Sequence, residues 1–327
     1  MRWFTGLGTL LTAAMAAGTA TTTTTTTTTA AAKEEEEPLS LRVLTSNIRY
    51  AAPGDAYEKP WSVRGPLLVS RVAGLADNAS ASGAVPVIGM QEVLHGQLLD
   101  ILAGLNASTT TPTASSWSYL GTGRDDGVQA GEYCPLFYQP ERVTLLASTQ
   151  KWLSPTPDVP SFWPGAGSRR YVVVGVFADA VSGARFIAAN THLDNVSSAA
   201  RSEGVKIILR VIRDVQAAWG PGLPVTLSGD FNSEPGADAY EAMVADGYLR
   251  DAYVLASGEM RFGPYETYTG FVPEEIPDVA DRIDFLWLGP DVEDTWTVGR
   301  YEVVDNVVGG VFFSDHRPVF VDVTLKT

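Results

Sequence analysis

Four times in this chain a run of strand-forming residues stops abruptly on a side chain that can bind a metal or move a proton. Leu41-Arg42-Val43-Leu44-Thr45-Ser46 gives way to Asn47, and Val85-Pro86-Val87-Ile88-Gly89-Met90 ends in Gln91-Glu92. Arg185 to Asn190 runs into Thr191-His192-Leu193-Asp194, and Pro224-Val225-Thr226-Leu227 stops at Ser228-Gly229 before Asp230 and Asn232. Runs of this length, bounded by turn residues, read as strands with polar tips. In extended backbone, residues i and i+2 point to one face, so the Asp230 carboxylate and the Asn232 amide are expected to project together. An acceptor beside a neutral donor suits a site that takes a proton from water while holding a phosphoryl oxygen. A lone Asp-x-Asn is more commonly an Asx turn; the company it keeps argues for chemistry.

Helical spacing places helices over Trp61 to Asp77, Leu94 to Leu105 and Ala199 to Trp219. Tyr171 to Phe177 and Arg185 to Asn190 read as a hairpin closed near Ser182-Gly183. Further strand readings fall on Glu132 to Tyr138, Thr267 to Phe271, Arg282 to Trp287 and Phe312 to Pro318, with Asn106 to Ser118 a polar loop. Gly121 to Gly127 carries too many glycines and charges for regular structure and is expected to lie over the site. Short strands outnumber helices, so two packed sheets with outer helices is the economical α/β architecture.

The front end reads as processing signal rather than fold. Arg2 precedes an apolar run from Trp3 to Ala17, too short for a membrane span, and small residues follow as cleavage points. Residues 1–20 are therefore expected to be a signal peptide. Residues 21–37 form a spacer of nine threonines and the acidic run Glu34 to Glu37, and residues 38–327 one catalytic domain. Export is consistent with the sequons at Asn78, Asn106 and Asn195. The single cysteine, Cys134, excludes an internal disulfide. The net charge of -15 repels polyanions, which disfavours nucleic acid as a partner unless a metal locally reverses the field. A monomer without a membrane span is expected.

The ordered series Ser46-Asn47, Gln91-Glu92, Thr191-His192-Leu193-Asp194, Gly229-Asp230-Phe231-Asn232, Arg282-Ile283-Asp284 and Ser314-Asp315-His316 resembles the endonuclease/exonuclease/phosphatase superfamily over roughly residues 40 to 325. The fuller strings Ser46 to Tyr50, Gln91 to Gln97 and Gly123 to Tyr133 look like a bacterial and fungal subgroup of metal-dependent hydrolases. The resemblance implies a four-layer α/β/β/α sandwich of two mixed, mostly antiparallel sheets flanked by helices, and a divalent-metal phosphoesterase site where the strand ends meet. It implies Mg2+ or Mn2+ as cofactor, held by Glu92, Asn47 and by Asp315 from the opposite sheet; Mg2+ favours such oxygen ligands. Asp230 would deprotonate the attacking water and Asn232 hold a phosphate oxygen. Asp284 would pair with His316, and Glu132 with His192, each carboxylate raising an imidazole pKa so that the ring carries charge against the phosphate. Asp194, Arg124 and Arg201 are candidate substrate contacts, and His95 a structural or rim residue. Two departures stand out from the subgroup: Asn195, where histidine is common, and Met90, where leucine is usual, a volume-conserving swap.

These residues support a secreted phosphoesterase acting by in-line attack of water on a small sugar, inositol or lipid phosphate. The alternatives are a secreted nuclease, or a catalytically silent module that binds a phosphorylated ligand on the same fold. No acid of the set is missing, which argues against the silent module.

Overall fold

A computed structural model describes residues 38–52, 54, 57–107, 116–272 and 281–326, all within the unit Glu37–Thr327. The expectations for residues 1–37, and for most of the polar loop after Asn106, lie outside the described residues.

Two sheets carry the fold. The first has seven strands in the order Arg261–Phe262, Trp296–Val303, Val319–Leu325, Ser40–Asn47, Val85–Gln91, Leu136–Tyr138 and Ser118–Leu120. The second has six, in the order Val143–Trp152, Tyr171–Asp179, Arg185–His192, Val225–Asp230, Asp284–Gly289 and Arg250–Asp251. Both sheets are mixed. Ser40–Asn47 pairs with Val85–Gln91, and Arg185–His192 with Val225–Asp230, in parallel, whereas most other pairings are antiparallel.

Strands buried on both faces explain the nearly continuous apolar runs of the sequence. Leu41, Val43, Val85 and Val87 meet Val173, Phe177, Phe186 and Leu288 between the sheets. The opposite faces pack under helices. Leu44, Ile88 and Met90 lie with residues of Trp61–Ala81 and His95–Ala107. Val172, Val174, Ile187 and Leu227 lie with Ser198–Trp219 and Asp238–Asp246. The four layers therefore run helix, sheet, sheet, helix. Toward the site the sheets approach so closely that Gly89 is required, since a Cβ there would sit 2.2 Å from Ser228 Oγ and 2.6 Å from Asn190 Oδ1.

Several sequence expectations need correction. The Glu132 to Tyr138 strand begins only at Leu136, with Tyr133 making one isolated bridge to Val93. Thr267 to Phe271 is not a strand; Tyr268 bridges Asp281 and His316 from a loop. After the short strand Val311–Phe312, residues 313–318 form a turn that side-chain bonds hold, and the paired strand is Val319–Leu325. The ten-residue strand Val143–Trp152 was not anticipated; it is a sheet edge, buried only at Val143 and Trp152, with exposed and partly exposed positions between them.

Candidate active site

Register brings the polar strand tips together. Asn47 lies opposite Gln91 across the parallel pair of the seven-stranded sheet, which places Glu92 one residue beyond the rim. In the six-stranded sheet His192 lies opposite Asp230, and Asp230 opposite Asp284, so three adjacent strands deliver three titratable groups to one edge. Side-chain bonds then tie the strand tips together, within and between the sheets. Asn47 Nδ2 donates to Asp230 Oδ2 at 2.9 Å and to Glu92 Oε1 at 3.1 Å, and His316 Nδ1 lies 2.8 Å from Asp284 Oδ2. Asp315 and His316 immediately precede Val319–Leu325, which pairs with Ser40–Asn47. Asp315 thus comes from the same sheet as Asn47 and Glu92, a correction to its expected origin.

Three site residues, Arg49 (φ 55), Glu92 (φ 60) and Asn232 (φ 47), hold left-handed backbone, which costs a side-chain-bearing residue about 1–3 kcal/mol unless its surroundings impose it. The surroundings are visible. Buried Arg64 donates to the carbonyls of Ile48, Arg49 and Tyr50, and the Tyr50 amide donates to Glu92 Oε2 at 3.2 Å. The Asn232 amide donates to Asp230 Oδ1 at 2.9 Å, closing an Asx turn. Asp230 and Asn232 therefore share the site through a turn, not through the strand alternation expected, because the strand ends at Asp230.

A cavity of about 600 Å³ opens on this edge, lined among others by Glu92, His192, Asp230, Asn232, Asp315 and His316. Burial, then the charge of Asp284, pushes the Asp230 carboxyl up to about 7. Burial and the nearby Glu92 lift Asp315 to about 6 against the pull of His316 and Arg49. Burial opposes a charge on His316, but Asp284, with Asp230 and Asp315, outweighs it and raises the imidazole to about 10. His316 is therefore an imidazolium at neutral pH, its Nε2 3.8 Å from Asp230 Oδ2.

His192 behaves differently from expectation. Burial, with the charges of Arg170 and Arg124, holds its pKa well below the ordinary value, so the ring is neutral. Its Nε2 lies 3.0 Å from Asn232 Nδ2 and 3.4 Å from Asp230 Oδ2, while buried Nδ1 has no partner among the described residues. Glu132 is not that partner. Its carboxylate accepts from Arg124 Nη1 at 2.6 Å, in a loop tied back by the Arg124 amide on the Glu132 carbonyl. The loop does lie at the site as expected, with Arg124 and Glu132 both lining the cavity.

Asp194 is a second correction. It accepts backbone N–H bonds from Gly167, Ser168, Val196 and Ser197, which outweigh the effect of burial and keep its pKa low. With its oxygens so occupied it organises the loop entering Ser198–Trp219 and does not line the cavity. Arg201 lines the cavity but is held bidentately by Asp238. His95 stacks on Tyr133, with Nδ1 2.9 Å from the Tyr133 hydroxyl.

The donor set fits a hard divalent cation. Ligand atoms of Glu92, His192 and Asp230 lie within 4.8 Å of one another, and the raised carboxyl pKa values of Asp230 and Asp315 mark a cluster that a cation would relieve. A second grouping, Asp230, Asp284 and His316, is as compact, but His316 is already protonated and paired. Asn47 stands between Glu92 and Asp230 with its amide nitrogen toward both, while its oxygen accepts from the Arg49 amide at 2.9 Å. In this arrangement it orients the carboxylates instead of offering an oxygen to the cation.

Sequence reasoning missed Arg49, Tyr50, Arg170 and Tyr268, all of which line the cavity. Arg49 and Tyr50 sit in the Ser46 to Tyr50 string, but nothing in that string signals a turn that points them inward. Arg170 directly precedes Tyr171–Asp179 and is reached only through sheet pairing. Tyr268 packs on the His316 ring with centroids 5.0 Å apart.

No family model matches the chain, and no curated protein matches it significantly. Solved structures do. The endonuclease/exonuclease/phosphatase of Bacteroides vulgatus is 31% identical with a TM-score of 0.72, over 88% of this chain and 99% of that one. An endonuclease/exonuclease/phosphatase family protein of Bacteroides thetaiotaomicron is 28% identical with a TM-score of 0.71, over 89% and 100%. The mannosyl-6-phosphatase of the same organism is 29% identical with a TM-score of 0.68, over 88% and 100%.

Proposed function

The chain belongs to the endonuclease/exonuclease/phosphatase family, and from that premise we propose that it is an exported, divalent-metal-dependent phosphoesterase acting on a small sugar, inositol or lipid phosphate. One observation carries the reading. A buried carboxyl with a pKa lifted to about 7, Asp230, sits between the Asn47 amide at 2.9 Å and an imidazolium, His316, at 3.8 Å. A general base works best when its pKa is near the operating pH.

Asp230 takes the proton of the attacking water; the Asx turn sets Asn232 beside it, where Nδ2 donates to the Leu193 carbonyl at 3.1 Å and lies 3.0 Å from His192 Nε2, so the amide turns to a phosphoryl oxygen by giving up one of these contacts. His316, charged by Asp284, faces the charge that accumulates on the phosphoryl oxygens. Glu92, with Asp315, whose carboxyl senses the Glu92 charge, would hold a divalent cation, which would supply charge neutralisation of the phosphoryl group and of the leaving oxygen. The mannosyl-6-phosphatase among the similar structures and the charge of -15 both favour a small phosphate over a polyanion. The apolar run and small residues of the first twenty positions support export.

The test is turnover of purified protein with Mg2+ or Mn2+ on a chromogenic monoester, a chromogenic diester, mannose 6-phosphate and plasmid DNA. Monoester hydrolysis that EDTA abolishes is expected. Full activity in chelator, or none on any phosphoester, would overturn the reading. N-terminal sequencing of protein recovered from the medium tests export.

A further inference from the structure

One wall of the cavity has no part in the chemistry above. It consists of Arg124, Glu132, Ser168, Arg170 and Asn195, all cavity-lining. Pairing fixes its distance from the reacting groups. Val172 lies opposite Thr191, and His192 opposite Asp230, so Arg170 stands at the rim two strands away from Asp230, about 10 Å at the ordinary strand spacing. That is the reach of a phosphate plus one further ring.

The wall is built rather than incidental. Arg170 is 8% exposed, yet among the described residues its Nε and Nη1 have no hydrogen-bond partner. Its Nη2 donates to Asn195 Oδ1 at 3.2 Å, and the nearest carboxylate, Asp194 at 3.9 Å, is already filled by backbone N–H groups. Burial and the neighbouring Arg124 lower the Arg170 pKa, so the guanidinium is poorly solvated where it stands. Arg124 is anchored by Glu132 through Nη1, and its buried Nε also lacks a partner among the described residues. The charges balance: Glu132 and Asp194 offset Arg124 and Arg170. A charge-compensated surface whose guanidinium nitrogens still lack partners among the described residues does not call for a second anion. It matches vicinal hydroxyl groups, which donate and accept at once and pair with planar guanidinium and carboxylate groups.

We infer that Arg124, Glu132 and Arg170 form a polyol subsite that holds the hydroxyls of a sugar-like leaving group about two strands from Asp230. This deepens the phosphoesterase reading and rests on it. A site built around buried polar groups rejects a substrate that cannot satisfy them, so the subsite sets specificity more than rate.

The experiment compares kcat/KM for mannose 6-phosphate and for 4-nitrophenyl phosphate, which carries no hydroxyls, in the wild type and in Arg170→Gln and Arg124→Gln. Each variant is expected to lose at least ten times more on the sugar phosphate than on the nitrophenyl ester, mainly through KM. Saturation-transfer NMR with free D-mannose supplies a readout independent of turnover: signals in the folded wild type, lost in both variants. Equal losses on the two substrates, or no mannose signal with the wild type, would overturn the subsite. Failure of the wild type to hydrolyse even the nitrophenyl ester with Mg2+ would instead overturn the phosphoesterase reading, leaving the mannose signal to decide the subsite.

Discussion

His316 and Asp284, 32 residues apart and each carried by a different sheet, meet at 2.8 Å with both side chains almost wholly buried. The carboxylate overcomes the desolvation that would otherwise keep the imidazole neutral, and the ring is charged throughout the physiological range.

Replacing Asp284 with Asn should therefore lower the His316 pKa from about 10, because only Asp230 and Asp315 then oppose burial. Turnover should fall roughly a hundredfold or more, close to the loss in His316→Ala, the scale for a positioned charge or proton donor. The raised pKa also stabilises the fold, an effect fully present below about 6.5 and lost as pH rises through about 10, so the variant should show a flatter stability profile across that window. Histidine NMR titration and urea melts check both. A rate within a few fold of wild type would count against the pair.

Mg2+ should protect the protein more at high pH than at low pH. Asp230, at about 7, and Asp315, at about 6, both titrate above their ordinary 3.8, so the folded state holds protons the unfolded state has released. Folding of the metal-free protein weakens as pH rises through that interval, and a cation competes with those same protons. The Mg2+-dependent rise in Tm should be small at about pH 5.5 and several degrees at about pH 8. Glu92→Gln should shrink the shift at the higher pH and lower turnover by orders of magnitude. Equal shifts at both pH values would argue against the carboxylate cluster as the binding site.

His192 and His316 should respond differently to glutamine. Neutral His192 offers Nε2 for hydrogen bonding beside Asp230 and Asn232, and a glutamine amide can reproduce part of that. His192→Gln should keep about tenfold more activity than His192→Ala. His316→Gln should rescue nothing, since what is lost there is charge. Comparable rates for His192→Gln and His192→Ala would indicate that the ring acts through its shape alone.

Asn195 should remain unglycosylated in protein secreted from a eukaryotic host. Its Oδ1 accepts from buried Arg170, which turns the side chain into the cavity wall, so a glycan on Nδ2 would crowd the mouth of the site. Asn106 is likewise engaged, donating to the Leu102 carbonyl and accepting from the Trp117 amide. Asn78, exposed on the last turns of Trp61–Ala81, is the sequon left to modify. Peptide mass spectrometry decides; high occupancy at Asn195 in fully active enzyme would place that loop away from the chemistry.

The sequence alone determined the strand tips. Asn47, Glu92, His192 and Asp230 were legible because an apolar run ending on a polar residue is a local pattern, and Asp284 through the family motif; strand pairing in register carries these positions to a common edge. Asp315 was legible as a site residue but not as part of the seven-stranded sheet, since sheet membership depends on pairing across 270-odd residues of chain. Tertiary structure alone decided what each polar group does. Glu132 was expected to pair with His192 and Asp194 to contact substrate, but one is bonded to Arg124 and the other to four backbone amides, and no spacing announces a partner brought close by folding. The same holds for charge. His192 and His316 sit in similar motifs, yet one is neutral and the other charged, because a pKa is set by burial and by the neighbours that folding delivers.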